Sequence, residues 1–268
     1  MANASRPLVR FEKHAELGVL ILDNPPENRI NRSLYGDLDA AAREAVQSGC
    51  RALLLRGEGS DFCFGGDFTE WPSLTTHTLK RERFGYSNGI LQTLESLPIP
   101  TVAAVHGRAF GGGFELAMHT DLIICAQSAR FRFPEVTLGV SPLAGGVQRV
   151  AERAGRAAAA ALVMLSEEIS AEQAERLNIV AKVVPDQELE QTGLALARKL
   201  STGPTRAHVV TKLVLSAWST GGVRAADEVM IEAVCGLLAT EDAEDAVAAA
   251  IEARGAGKPR PDIGFKGR

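Results

Sequence analysis

An α/β core followed by a helical C-terminal region is what the sequence predicts, and three observations carry that expectation. Short apolar runs of strand length alternate with helical spacing as far as Pro185, and two of those runs empty into glycine turns. From Glu188 onward only helical patterns remain. The strands are too unevenly spaced for a barrel, and the turns too dissimilar for a sequence repeat. No Gly/Ser or Pro-rich linker interrupts the chain, so residues 1–187 are predicted as a core and residues 188–268 as its helical appendage.

In order, Val19 to Asp23 reads as a buried strand stopped by Asn24-Pro25-Pro26, and Asn31 to Gln47 shows helical spacing at Leu34, Leu38, Ala41 and Ala45. Ala52 to Gly57 is the next strand and runs into the turn Gly59 to Asp67. A long polar to amphipathic stretch reaches Pro100, and Thr101 to Val105 reads as a fully buried strand. After it, Phe110-Gly111-Gly112-Gly113 turns the chain into a helix at Phe114 to Met118 whose one polar residue is Glu115. Asp121 to Ala126 is a strand, Arg130 to Phe133 alternates like a half-buried one, and Pro134 breaks it ahead of Glu135. Helices are predicted from Gly145, over Arg156 to Leu165 and over Ala171 to Leu177, and Val180 to Pro185 closes the strand series. The tail reads as helices Glu188 to Leu200, Pro204 to Trp218, Val223 to Leu238 and Asp242 to Ala253.

Composition narrows the function classes. With 46% hydrophobic and 23% charged residues the chain has the make-up of a folded globular protein, which excludes disorder as a main feature. A formal net charge of -4 gives no general attraction for nucleic acid or anionic membrane. Lys80, Arg81 and Arg83, a compact basic cluster, read as a solvated helix face. Cys50, Cys63, Cys125 and Cys235 are scattered without CxxC spacing, so neither a disulfide framework nor a zinc site is indicated, and a reducing cytoplasm fits. Met1 to Pro7 lacks the apolar core of a signal peptide, and no apolar run reaches the roughly 18 residues of a membrane span.

Several chemistries lack their motifs. GxxxxGK[ST] is missing, the glycine run does not have GxGxxG order, and GxSxG and HExxH are absent. His119, four residues after Glu115, reads as structural rather than as a metal ligand. Two glycine turns and two carboxylates remain. A glycine turn at a helix N-terminus presents unpaired N–H groups that can hold a negatively charged oxygen, and here it adjoins a glutamate in apolar company.

Asp61-Phe62-Cys63-Phe64-Gly65-Gly66-Asp67 and Ala104-Val105-His106-Gly107-Arg108-Ala109-Phe110-Gly111-Gly112-Gly113-Phe114-Glu115-Leu116-Ala117 resemble, over nearly the whole chain, the enoyl-CoA hydratase/isomerase family, the crotonases. Asp121 to Ala126, Phe133-Pro134-Glu135-Val136, Leu138-Gly139 and Gly145-Gly146-Val147-Gln148-Arg149 follow in the family's order. The resemblance implies a spiral of strand-strand-helix turns with a C-terminal helical tail, and assembly into a homotrimer or homohexamer. It implies that the Gly66 and Gly112 amides form an oxyanion hole for a coenzyme A thioester carbonyl. Gly66 stands where the family often has Ala, a change that leaves a backbone role intact. Both acidic positions of the hydratases are present as Glu115 and Glu135. Adding water across C2=C3 needs one group to deprotonate water and a proton source for C2, which a carboxylate pair can provide. The implied activity is syn hydration of trans-2-enoyl-CoA to 3-hydroxyacyl-CoA, with no metal and no cofactor beyond the substrate's own coenzyme A.

On the same resemblance the substrate-binding candidates are Phe64, Asp67, Phe68, Leu143 and Arg29. Asn28-Arg29-Ile30-Asn31 resembles the segment bordering the adenine end of coenzyme A; Arg29 is a phosphate ligand or a plain surface arginine. Three positions depart from the family pattern: Phe64 for a small residue, Arg132 for Gly or Ala, and Leu143 where hydratases carry glycine. Leu143 either narrows the site or points into the core. The rivals are double-bond isomerisation, thioester hydrolysis, and a crotonase-like scaffold that binds acyl-CoA or RNA without turnover; the lack of a broad basic comb argues against RNA.

Overall fold

The computed structural model describes residues 6–268; the expectation about the N-terminal stretch falls mostly outside them. Strand β1 (Val9–His14) pairs antiparallel with β2 (Leu17–Leu22), and α1 (Arg32–Gln47) follows. Asn31 caps α1, its side chain accepting the Leu34 N–H, and the helix buries Leu34, Leu38, Ala41 and Ala45. Then come β3 (Ala52–Gly57), a 3-10 turn at Phe68–Ser73 and α2 (His77–Glu95). β4 (Thr101–Val105), β5 (Arg108–Phe110) and α3 (Gly112–Met118) form the next turn of chain. β6 (Leu122–Ala126) and β7 (Arg130–Arg132) repeat the strand-strand step, followed by a 3-10 turn at Glu135–Leu138, α4 (Gly146–Ala154) and α5 (Arg156–Met164). β8 (Ile169–Ser170), α6 (Ala171–Arg176), β9 (Lys182–Val184), α7 (Leu189–Ser201), α8 (Thr205–Leu238) and α9 (Glu241–Gly255) complete the described chain. At Gly222 the backbone leaves helical geometry, with φ 70° and ψ -167°, so α8 is two arms matching the two predicted helices.

Two sheets result. The larger has the order β1-β2-β3-β4-β6-β9 and is parallel beyond β2; the smaller has the order β5-β7-β8. Parallel strands are covered on both faces and need apolar side chains on both. In β2, Leu20 and Leu22 join one core, with α1, α2 and α3, while Leu17, Val19 and Ile21 join a second one with Leu189 and Ala197 of α7. Helix α7 therefore belongs to the core, and the outer helical region begins after Ser201 rather than at the predicted boundary of 187. β1 is missing from the sequence reading because Arg10, Glu12 and Lys13 interrupt its apolar positions, a composition suited to a sheet edge.

The small sheet sets the positions of the glycine turns. Ala109 lies opposite Phe131 in the β5–β7 register and bridges Cys63 in the loop after β3. Cys63, Ala109 and Phe131 thus occupy one row, and three residues further along stand Gly66, Gly112 and Pro134. Hydrogen bonds from Phe110 N to Cys63 O at 3.1 Å and from Gly111 N to Arg132 O at 2.8 Å hold the row together. A β-carbon on Gly113 would collide with the Cys63 carbonyl, so that glycine is what lets α3 dock against the first turn.

Candidate active site

The row of turns opens into a cavity of about 310 Å³. On one side lie Gly66, Gly112, Glu115 and Glu135; α1, α2 and the first 3-10 turn contribute Tyr35, Arg83, Phe84, Ser87 and Trp71. Among the described residues neither the Gly66 nor the Gly112 N–H has a hydrogen-bond acceptor. A β-carbon on Gly112 would stand 3.4 Å from Gly66 N, so both amides border the same space. Gly112 opens α3, where the first N–H groups have no intrahelical partner. An oxygen gaining negative charge there meets two donors that need no reorganisation.

Glu115 is 2% exposed, and its Oε1 accepts N–H bonds of 2.8 Å from Ala144 and from Gly146, the first residue of α4. Burial raises its pKa, while the amides of Gly146 and Ala144 oppose that rise. Glu135 opens the second 3-10 turn, is 8% exposed, and keeps Oε2 buried without a hydrogen-bond partner. Burial first, then the charge of Glu115, pushes it up to about 7. Gly111, at φ 48°, passes so close to this carboxylate that a β-carbon would lie 2.5 Å from Glu135 Oε1. The two glutamates predicted to converge do so.

The substrate-binding candidates divide. Leu143 lines the cavity, which resolves the sequence alternative in favour of the site over the core; its carbonyl accepts from Asn88 of α2 at 2.9 Å. Phe64 also lines it, with the guanidinium of Arg29 4.6 Å and that of Arg108 4.2 Å from its ring centroid. Arg29 borders the cavity but bonds Glu27 at 2.8 Å. Phe68, 48% exposed, stands among the lining residues. Asp67 is not among them: its Oδ1 caps the first 3-10 turn by accepting from Thr69. Arg132 also turns away, donating to Ser166 O at 2.7 Å.

Sequence reasoning missed the contribution of α2. Lys80 and Arg81 are exposed as expected, but Arg83 is 8% exposed and borders the cavity, as does Ser87 one turn later. Their four-residue spacing, continued by Ile90, Leu91 and Leu94 as the buried face of α2, was the available signal.

Two unclaimed amides beside a pair of buried carboxylates, set in a spiral α/β fold, define a site for chemistry that places negative charge on a carbonyl oxygen. The sequence profile of the enoyl-CoA hydratase/isomerase family matches residues 12–251, and the chain belongs to that family. It is 33% identical over 250 residues to a short-chain-enoyl-CoA hydratase of Clostridium acetobutylicum, covering 92% of this chain and 95% of that one. It is 36% identical over 199 residues to the 1,2-epoxyphenylacetyl-CoA isomerase of Escherichia coli, covering 72% and 76%. A crystal structure described as an enoyl-CoA hydratase subunit of Geobacillus kaustophilus superposes with a TM-score of 0.87 at 28% identity, covering 97% of this chain and 98% of that one. The predicted crotonase fold is thereby established.

Proposed function

We propose that the protein hydrates trans-2-enoyl-CoA thioesters to 3-hydroxyacyl-CoA. The observation that carries this is the convergence of Glu115 and Glu135 on one cavity beside the free amides of Gly66 and Gly112. The thioester oxygen sits between the amides. Glu115, held through one oxygen by two backbone donors, takes a proton from water as the oxygen bonds to C3. The charge moves onto the thioester oxygen as an enolate, and Glu135, which favours its protonated form, gives its proton to C2. Water is added in full, and the proton gained by one carboxyl replaces the one lost by the other. No electrons are transferred, so the proposal requires no redox group or metal, and coenzyme A arrives with the substrate.

Isomerisation is the second reading, favoured by the similarity to the Escherichia coli isomerase. Its chemistry also passes through a stabilised enolate but adds no oxygen. Incubating the protein with enoyl-CoA and 3-enoyl-CoA substrates and weighing the products by mass spectrometry separates the two: hydration adds the mass of water, isomerisation adds none, and hydrolysis releases the free acid. The proposal extends to a homotrimer or homohexamer, supported by the exposed Leu213, Leu215, Val223, Ile231, Leu238 and Ile251 of α8 and α9.

A further inference from the structure

The hydratase reading leaves Arg83, Ser87 and Tyr35 without a task. Arg83 borders a largely apolar cavity although its side chain is only 9% exposed, and charged groups enter such places only when paired. Its Nε and Nη2 donate to Glu70 Oε2 at 3.3 and 3.1 Å, and its Nη1 donates to Ser87 Oγ. Of the five N–H groups of a guanidinium these bonds use three, so two have no protein acceptor among the described residues, on a side chain that lines the cavity. Ser87 is 4% exposed and Tyr35 5% exposed, and the Arg83 guanidinium lies 5.7 Å from the Tyr35 ring centroid. Burial first, then the charge of Glu115, pushes the Tyr35 hydroxyl above its ordinary value, while the charge of Arg83 opposes that rise. Tyr35 of α1 and Arg83 and Ser87 of α2 thus line the cavity from elements other than the glycine turns that carry the amides. Trp71 and Phe84, edge to face at 6.0 Å, enclose the same region.

We infer that this cavity takes an acyl group carrying an uncharged oxygen, a hydroxyl or a carbonyl, at the end away from the thioester. A methyl-ended chain packed against the remaining Arg83 donors would displace water and leave them unpaired, whereas an oxygen would accept from them. Such sites discriminate strongly between a substrate that completes their hydrogen bonds and one that does not. Glu70 already balances the charge of Arg83, and the Glu115 carboxylate lines the same cavity, so a further carboxylate would gain no unpaired cation at Arg83 and would meet like charge at Glu115. This substrate class rests on the proposed hydration, and its test keeps the two separable.

Three trans-2-enoyl-CoA substrates of equal chain length, ending in methyl, hydroxyl and carboxylate, are compared by kcat/KM, and their saturated analogues by calorimetric binding to the wild-type protein. The expected result is at least a tenfold preference for the hydroxyl-ended member over the methyl-ended one in both measurements, falling towards unity in Arg83→Met. Equal or better use of the methyl-ended member, a preference for the carboxylate-ended one, or an unchanged ratio in a folded Arg83→Met would overturn the inference. Should Arg83→Met fail to fold, the wild-type binding ratio decides alone. Absence of turnover on every substrate would overturn hydration, while the binding ratio would still judge the pocket.

Discussion

Glu135 keeps one carboxylate oxygen buried and unpartnered, and that placement ties both activity and stability to pH. Its folded-state pKa rises from 4.5 to about 7. Between those values the folded protein holds a proton that the unfolded chain releases, so the stability due to this group is present below about pH 4.5 and lost as pH rises through 7. The loss amounts to roughly 3 kcal/mol. In Glu135→Gln the penalty disappears, and thermal melts at pH 5 and pH 8 are expected to show the variant gaining on the wild type at the higher pH. An equal difference at both pH values would contradict the assignment. The same variant is expected to lose hydration by about 10² to 10⁴-fold while remaining folded; near-normal turnover would remove Glu135 from the mechanism. At this scale the sequence exposed Glu115, through its apolar neighbours, but Glu135 became readable only with the family resemblance. Arg83 was hidden because its neighbours Lys80 and Arg81 do point to solvent, and one-dimensional charge clustering does not show which member of a helix turns inward.

The turn that opens α3 is an element built around one N–H. Proline at the first position of a helix sacrifices a donor that has no intrahelical acceptor, and a β-carbon at Gly112 meets only ordinary contacts, 3.4 Å from Gly66 N and 3.6 Å from Ile30. Gly112→Pro is therefore expected to fold, as circular dichroism would check, and to lose about 10² to 10³ in kcat, the usual effect of deleting an oxyanion donor. A folded variant of full activity would remove Gly112 from that role. The loop before α4 offers a second test. Leu143 lines the cavity, so Leu143→Gly, which removes an isobutyl group, is expected to shift the ratio of long to short substrates in kcat/KM by tenfold or more, about 1.4 kcal/mol. An unchanged ratio in a folded variant would show that the side chain does not set substrate size. Glycine runs made these turns legible from sequence. Their alignment was not, because it depends on the pairing of short strands far apart in sequence, Arg108–Phe110 with Arg130–Arg132, which no local pattern reports.

For the whole molecule, the α/β core was legible because its parallel strands are apolar on both faces, and its spiral winding only through the family resemblance, while the division between core and tail was not. Helical periodicity identifies α7 and α8 alike, yet Gly193 of α7 lies against Leu54, Ala104 and Ile124 of the large sheet, whereas α8 leaves Leu215, Val223 and Ile231 exposed. Those exposed faces give a physical motive for assembly, and light scattering at micromolar concentration is expected to show a trimer or hexamer; a monomer would contradict it. The central claim, that two glutamates and two amides add water to an enoyl thioester, is tested most directly by turnover of crotonyl-CoA in ¹⁸O-labelled water, with the product fragmented by mass spectrometry. The expected product carries one ¹⁸O at C3 of an intact 3-hydroxyacyl thioester. A product with no label and a shifted double bond, or label found only in a released carboxylic acid, would contradict it.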